Sequence, residues 1–518
     1  MKQFIEKLWV TLFALTIAMP VWAYDFEVDG IYYNVVSLSD RTCSITYKEK
    51  VEVNGLRGGF NDYSKEILTI PSTVEYAGQT LSVIGINVQA YEYNTAIKKV
   101  IIPNTIQWLH QECFDECTSL EEVVIEEGDG ILKFYKLGRT FYFSKCPITK
   151  LFIGRQIEKE DDSGLAPFAK LTKLNDVEFS DKVTSLVNDM FGDCTSLTEI
   201  TLPESCTAIG KYAFAGCTNL KTVNIKGNLS EIQTSAFSEC ASLSNINLGS
   251  LSVLGESAFN KCTSLTKIEW TGEPTILPKN AFMGCKSLKE FTIPATVTTI
   301  DEGVFNGCES LSSISIPASV TQIKMKAFAD CSNLKKFVIE DANEKLILAS
   351  TFQHDDNSIF GQQTNDVIEQ LEIYRPISNY YALVFSNLKT IRFGDGFGSV
   401  NYNPSNLDFK QSPLESIYSN LDNPPSIGHN GFSTNQYMTV PVFVPTESVE
   451  LYKAETDWSK FWQIQGYDFD SSGVNTIVSD VKEKNSEYYL LNGTRLQSEP
   501  IHGAYIMRQG ATTRKILK

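Results

Sequence analysis

Apolar positions recur along this chain with a period of 23 residues. The sharpest markers are the pairs Phe191/Cys194, Phe214/Cys217, Phe237/Cys240, Phe259/Cys262, Phe282/Cys285, Phe305/Cys308 and Phe328/Cys331. One step, from Cys240 to Cys262, is 22 residues. Counted from Cys308, the unit continues with Leu311, Ile314, Ile316, Pro317, Val320, Ile323, Ala327 and Phe328 before Cys331 closes it. Ile314 and Ile316 alternate with Ser315, which predicts a short strand with one buried face. Pro317 cannot extend a ladder inside a sheet and marks the strand's end. A short extended segment follows, and the spacing of Ala327, Phe328, Cys331 and Leu334 predicts one face of a helix of one or two turns. Such a unit cannot bury its Phe, Leu and Ile side chains alone, so each coil must be covered by its neighbours. The pattern predicts a mostly β fold with short helical turns. Its architecture is a right-handed solenoid of short parallel strands, capped at both ends.

Weaker copies extend the array. Upstream they include Ile67–Pro71, Val100–Pro103, Phe114/Cys117, Phe143/Cys146 and Val177–Phe179, and downstream Leu371–Ile373 and Leu388–Phe393, which keep the strand and lose the cysteine. Roughly 16 coils spaced about 4.8 Å apart would give a spine about 75 Å long. The run Cys-x-x-Leu-x-x-Ile-x-Ile-Pro…Val-x-x-Ile-x-x-x-Ala-Phe-x-x-Cys, seen at Cys308–Cys331, resembles the bacterial leucine-rich repeats of the BspA-like type. The resemblance implies a leucine-rich-repeat solenoid over residues 65–440, regular at 191–340 and irregular elsewhere. Tyr24–Tyr33 resembles the opening of mature chains in this family, so residues 24–64 are expected to cap the array. Val442–Pro445, Leu451-Tyr452, Trp458, Phe461-Trp462 and Ile464 resemble its closing segment, at 441–470. Residues 471–518 read as three short strands and resemble the C-terminal tails of secreted Bacteroidetes proteins, some of which direct surface sorting. The period slips at 126–175 and 340–436, where Glu126–Gly138 and His354–Asn365 read as loops inserted between coils, a common place for binding residues.

Residues 1–23 read as a secretory signal peptide, with Lys2 and Lys7 ahead of an apolar run, Leu8–Trp22, too short for a comfortable membrane span. The mature chain then has no apolar run of spanning length, and the expected location is secreted or on the outer cell surface. The net charge of −17 argues against nucleic acid as a partner.

Twelve cysteines in a secreted chain first suggest a disulfide framework. The period argues against it: stacked equivalents hold their Cβ atoms near 4.8 Å, wider than the usual ~3.8 Å of a bridge. The column therefore predicts reduced, inert thiols that behave as small hydrophobes. His110, Cys113 and Cys117 have ligand-like spacing without a fourth ligand. Acidic spots such as Asp161-Asp162, Asp355-Asp356 and Glu126–Gly130 lack a calcium-loop pattern. No nucleophile pair, phosphate loop or Gly-x-Ser-x-Gly motif is present. The expectation is a chain that is not an enzyme and uses no metal or cofactor.

The working surface is then the outward column of the strands: Thr201, Asn224, Asn247, Glu269, Thr292, Ser315 and Val338, with Trp270 inward. This strip is polar and poor in the Trp, Tyr and Arg of binding hot spots. The exceptions lie in the irregular coils, at Tyr374, Arg375, Tyr380, Tyr381, Arg392 and Tyr402. The family resemblance implies adhesion to an extracellular or host protein, such as a matrix component, or to neighbouring cells. Glycan binding or nutrient capture through stacked Tyr rings, and a structural envelope role, are the alternatives.

Overall fold

The structure is a computed structural model. It describes residues 23–53, 56–135, 142–143, 145–159, 167–349, 358–361, 366–378, 383, 385–398, 409–427, 431–469, 487–490, 495–496, 504–509 and 512–517. The expected signal peptide lies, but for Ala23, outside these residues. Two compact units are formed: Met1–Ile314 with Ser319–Leu334 and Ala349–Thr364, and Ser315–Ala318 with Lys335–Leu348 and Asn365–Lys518.

In the first unit the coils build three parallel ladders, although the coil carrying Phe291, Thr292 and Ile293 forms no strand at that position. The first is made by the predicted strands. Ile67–Thr69, Lys99–Ile102, Glu122–Ile125, Lys150–Ile153 and Asp176–Phe179 pair in sequence order. Glu199–Leu202 pairs Thr222–Ile225, and Asn245–Gly249 pairs Lys267–Trp270. The second ladder joins the short extended segments, among them Ser185–Leu186, Ala208–Ile209, Glu231–Ile232 and Val253–Leu254.

The third ladder replaces the predicted helical turn. Around Phe214 the N–H groups of Tyr212, Phe214 and Gly216 donate to Thr234, Ala236 and Ser238 of the next coil, at 3.0, 2.8 and 2.8 Å. An α-helix would need those donors for its own carbonyls. The backbone explains why they are released: residues two before and two after each Phe adopt positive φ, as at Tyr212 (55°) and Gly216 (74°), or Ser235 (55°) and Glu239 (63°). A left-handed residue at each flank prevents a helical run.

Inside, the Phe rings form one stack. Centroids lie 5.5 Å apart for Phe191–Phe214, 5.2 Å for Phe214–Phe237 and 5.4 Å for Phe237–Phe259, with planes within 15° of parallel. Tyr91, Phe114, Phe143 and Phe168 carry the stack upstream, and Phe360 continues it beyond Phe328. The segment Glu126–Gly138 is not simply an inserted loop. Its residues Leu132–Tyr135 form a strand of the second ladder, paired to Trp108–His110 and Ile157–Lys159. Likewise Ile359 and Phe360, within the expected insertion at 354–365, are buried in the core.

Ahead of the first coil, Phe26–Val28 and Ile31–Ser37 make an antiparallel hairpin at Asp29-Gly30, both with positive φ. Ile31–Ser37 pairs Thr42–Thr46, which joins Gln79–Ile86 in parallel.

In the second unit, Lys336–Ile339, Gln370–Ile373, Thr390–Phe393, Ser416–Ser419, Val442–Pro445 and Ile464–Tyr467 form one parallel sheet. A helix at Thr434–Thr439 is closed by a Ser433/Gln436 capping box, and a second spans Val449–Ala454. Trp458 is fully buried and donates its indole N–H to the Pro425 carbonyl at 2.7 Å. Among the described residues the tail holds four antiparallel strands where three were expected, in the spatial order Arg495–Leu496, Glu487–Leu490, Ala504–Gln509, Thr512–Leu517.

Candidate binding surface

The repeated cysteines are spent on the core. All twelve are free and buried. Each column thiol donates to the carbonyl of the Phe in the preceding coil: Cys217 to Phe191 at 3.1 Å, Cys240 to Phe214 at 3.2 Å, Cys262 to Phe237 at 3.1 Å and Cys331 to Phe305 at 3.2 Å. The residue at this corner must be small, apolar and a donor, and Cys meets all three demands. Burial pushes the Cys285 and Cys331 thiols up to about 12, so neither forms a thiolate at physiological pH. Cys117 follows the same rule with the Tyr91 carbonyl, at 3.1 Å. His110 lies between the rings of Trp108 and Tyr135.

On the outward side of the first unit, Asn224, Asn247, Glu269 and Thr292 are exposed and Thr201 is half-buried. Much of their polarity is used locally. Asn224 donates to Thr201 Oγ1 at 3.3 Å, Asn247 Oδ1 accepts the Gly249 N–H at 2.9 Å, and Glu269 pairs with Lys267 at 2.6 Å. Trp270 is half-buried, its indole N–H donating to the Leu251 carbonyl at 2.8 Å.

The second unit is different. Val338 was expected outward and is 5% exposed, packed as core. Arg375 was expected at the surface and is 0% exposed. Its guanidinium donates to the Pro317 and Ala318 carbonyls at 3.0 and 2.9 Å, and burial lowers its pKa to about 10, which leaves it cationic at neutral pH. Arg375 is therefore a structural strut that satisfies backbone acceptors and not a ligand contact. Arg155 does the same for Pro103 and Asn104. Both arginines stand two residues after the last residue of a ladder strand, so position within the unit was the available signal. Tyr380, Tyr381 and Tyr402 lie outside the described residues. Tyr374 is half-buried, and its ring occupies the space a Cβ on Gly394 would need. Its hydroxyl donates to Glu372 Oε2 at 3.0 Å.

Arg392 does face outward, and the register sets it in a column between Glu372 and Tyr418, with Phe443 beyond. The guanidinium Cζ stands 4.6 Å from the Tyr418 ring centre. Tyr418 and Phe443 stack with centroids 4.9 Å apart and planes at 20°. Tyr467 meets both rings edge-on at 5.6 Å, and Phe469 lies 4.9 Å from Tyr467. All five side chains are half-buried. Sequence reasoning found Arg392 and did not assign its aromatic neighbours to a site.

A model of the BspA type leucine-rich repeat region, in 6 copies, matches residues 84–166, 139–266 and 275–403. The chain belongs to this family. As a BspA type leucine-rich repeat protein it is similar to several solved structures. A leucine-rich repeat protein from Bacteroides ovatus is 22% identical, with 72% of this chain and 100% of that chain covered and a TM-score of 0.42. A leucine rich cell surface protein from Faecalibacterium prausnitzii is also 22% identical, over 61% of this chain and 94% of its own, at a TM-score of 0.30. The pneumococcal vaccine antigen PcpA is 14% identical over 86% of this chain and 98% of its own, at 0.32. No curated protein matches the chain. Among the described residues, no helix is long and apolar enough to cross a membrane.

Proposed function

We propose that this BspA type leucine-rich repeat protein is an exported binding protein, not an enzyme, that holds a partner protein at the cell surface. In this reading residues 1–23 direct export, 24–64 and 441–470 cap the repeat array of 65–440, and 471–518 serve in sorting. The partner is an extracellular or host protein, such as a matrix component.

The observation that carries the reading is the Arg392/Tyr418/Phe443/Tyr467 cluster. Arg and Tyr are the residues that dominate protein interfaces, and here they stand together, half-exposed, on the outward side of a rigid ladder. The same geometry weighs against the glycan alternative. A sugar ring packs on the face of an aromatic ring, and both faces of Tyr418 are occupied, one by Arg392 and one by Phe443. With the Tyr418 faces covered, its edge and hydroxyl are what it can offer, which suits the irregular polar and apolar surface of a protein. The polar strip of Thr201, Asn224, Asn247, Glu269 and Thr292 adds complementarity and little energy.

The test couples location to binding. Intact producer cells are treated with protease, and the chain should be lost from the surface fraction. Purified full-length chain is then used to capture partners from matrix extracts, beside a Tyr418→Ala/Phe443→Ala variant. A protein retained by the native chain and lost by the variant supports the reading; a chain confined to the cytoplasm refutes it.

A further inference from the structure

We propose that Arg392 reads a single carboxylate on the partner, presented by an Asp or Glu side chain within an otherwise apolar peptide segment. The inference rests on the protein-binding reading above and specifies its chemistry.

Arg392 differs from the other cations on its ladder. Lys336 pairs with Glu372 at 2.8 Å, and Lys389 and Lys335 share Glu369 at 2.9 and 3.5 Å. Among the described residues no carboxylate pairs with Arg392, and its guanidinium makes no hydrogen bond. Its contacts are the ring faces of Tyr418 and Phe469, at 4.6 and 5.9 Å. A guanidinium lying on a ring keeps its N–H donors in its own plane, pointing past the ring edge. Two parallel donors in that plane match a carboxylate. The hydroxyls of Thr390 and Ser416, 3.4 Å apart on adjoining strands, stand beside this position in the register.

The surroundings select how much negative charge can approach. The chain carries a net charge of −17; Glu372 stands opposite Arg392 in the register with its carboxylate taken by Lys336 and the Tyr374 hydroxyl, and Glu369 and Glu415 precede the two flanking strands. A polyanion such as nucleic acid or a sulfated glycan would be repelled as a whole, whereas one carboxylate meets Arg392 locally. The ring edges of Tyr418, Phe443 and Tyr467 on the flank of Arg392 call for apolar residues next to that acid.

The probe is a phage-displayed library of random short peptides, selected on immobilised full-length chain and, in parallel, on Arg392→Ala. Enriched peptides on the native chain should carry one Asp or Glu beside apolar residues. Their affinity should fall about tenfold to a hundredfold for Arg392→Ala, and by as much when the peptide acid is changed to its amide. Combining both changes should add little, since each removes the same contact. Arg392→Lys, which keeps the charge and loses the fork, should restore only part. Enrichment of the same acidic peptides on Arg392→Ala, or of peptides without an acid on the native chain, overturns the proposal and leaves the binding reading standing. No enrichment on the native chain overturns both.

Discussion

Replacing Cys262 by Ala tests whether the repeated cysteine is a hydrogen-bonding core residue. Cys262 is fully buried and its thiol donates to the Phe237 carbonyl at 3.1 Å. That carbonyl also accepts the Cys240 N–H at 3.2 Å, so removing the thiol takes one of its two partners. The penalty for the half-satisfied acceptor falls at the low end of the usual range, about 1 kcal/mol. Losing the buried sulfur costs about 1 kcal/mol more in transfer free energy, roughly that of a methylene. The small void left in a close-packed corner adds about 0.5 kcal/mol. The expected loss is therefore about 2.5 kcal/mol, read as a lowered urea midpoint with an unchanged slope. Cys262→Ser keeps a donor and should lose less, about 1 kcal/mol, because it gives up mainly apolar burial. Cys262→Val restores volume without a donor and should remain well below the native chain. If Ala or Val matched the native midpoint, the thiol–carbonyl bond would contribute nothing and the reasoning would fail.

Other consequences follow from the same structure. Arg375→Ala strands the Pro317 and Ala318 carbonyls, and should destabilise the second unit by about 3 kcal/mol in thermal unfolding. Arg375→Lys should recover only part, since one ammonium does not reproduce the planar fork. Glu92 is 7% exposed, and burial, with Glu112, Asp115 and Glu116 nearby, raises its carboxyl to about 7. Its contribution to stability is therefore fully present below its ordinary pKa of about 4.3 and is lost as pH rises through 7. Glu92→Gln should remove that dependence between pH 5 and 8 in chemical denaturation, and a native pH profile matching that of Glu92→Gln would contradict it. Phe259→Ala opens the middle of the ring stack, and should cost about 3–5 kcal/mol.

The repeat made the coil, its strand and its buried columns legible, because the same apolar positions recur in seven consecutive units. The corner was misread as helical for a physical reason. The spacing of Ala327, Phe328, Cys331 and Leu334 reports which side chains face inward, and a turn that hands its N–H groups to the next coil buries the same set as a helix. The glycines at 216, 284 and 307, all just before the column cysteine and all at positive φ, carried the missing signal. Arg375 was misplaced because a charged residue between a strand and a proline looks exposed until two carbonyls are found beside it. Tyr418 and Phe443 escaped notice because coil lengths are uneven after residue 340, so that only the observed register aligns them with Arg392. The candidate surface was thus legible at Arg392 alone, whereas the fold was legible almost throughout.

Hydrogen–deuterium exchange of the full chain, with and without a captured partner, tests the binding account most directly. The account predicts added protection at Gln370–Ile373, Thr390–Phe393, Ser416–Ser419 and Val442–Pro445, with the Phe/Cys corners unchanged. Protection confined to the corners, or to strands between residues 199 and 270, would contradict it.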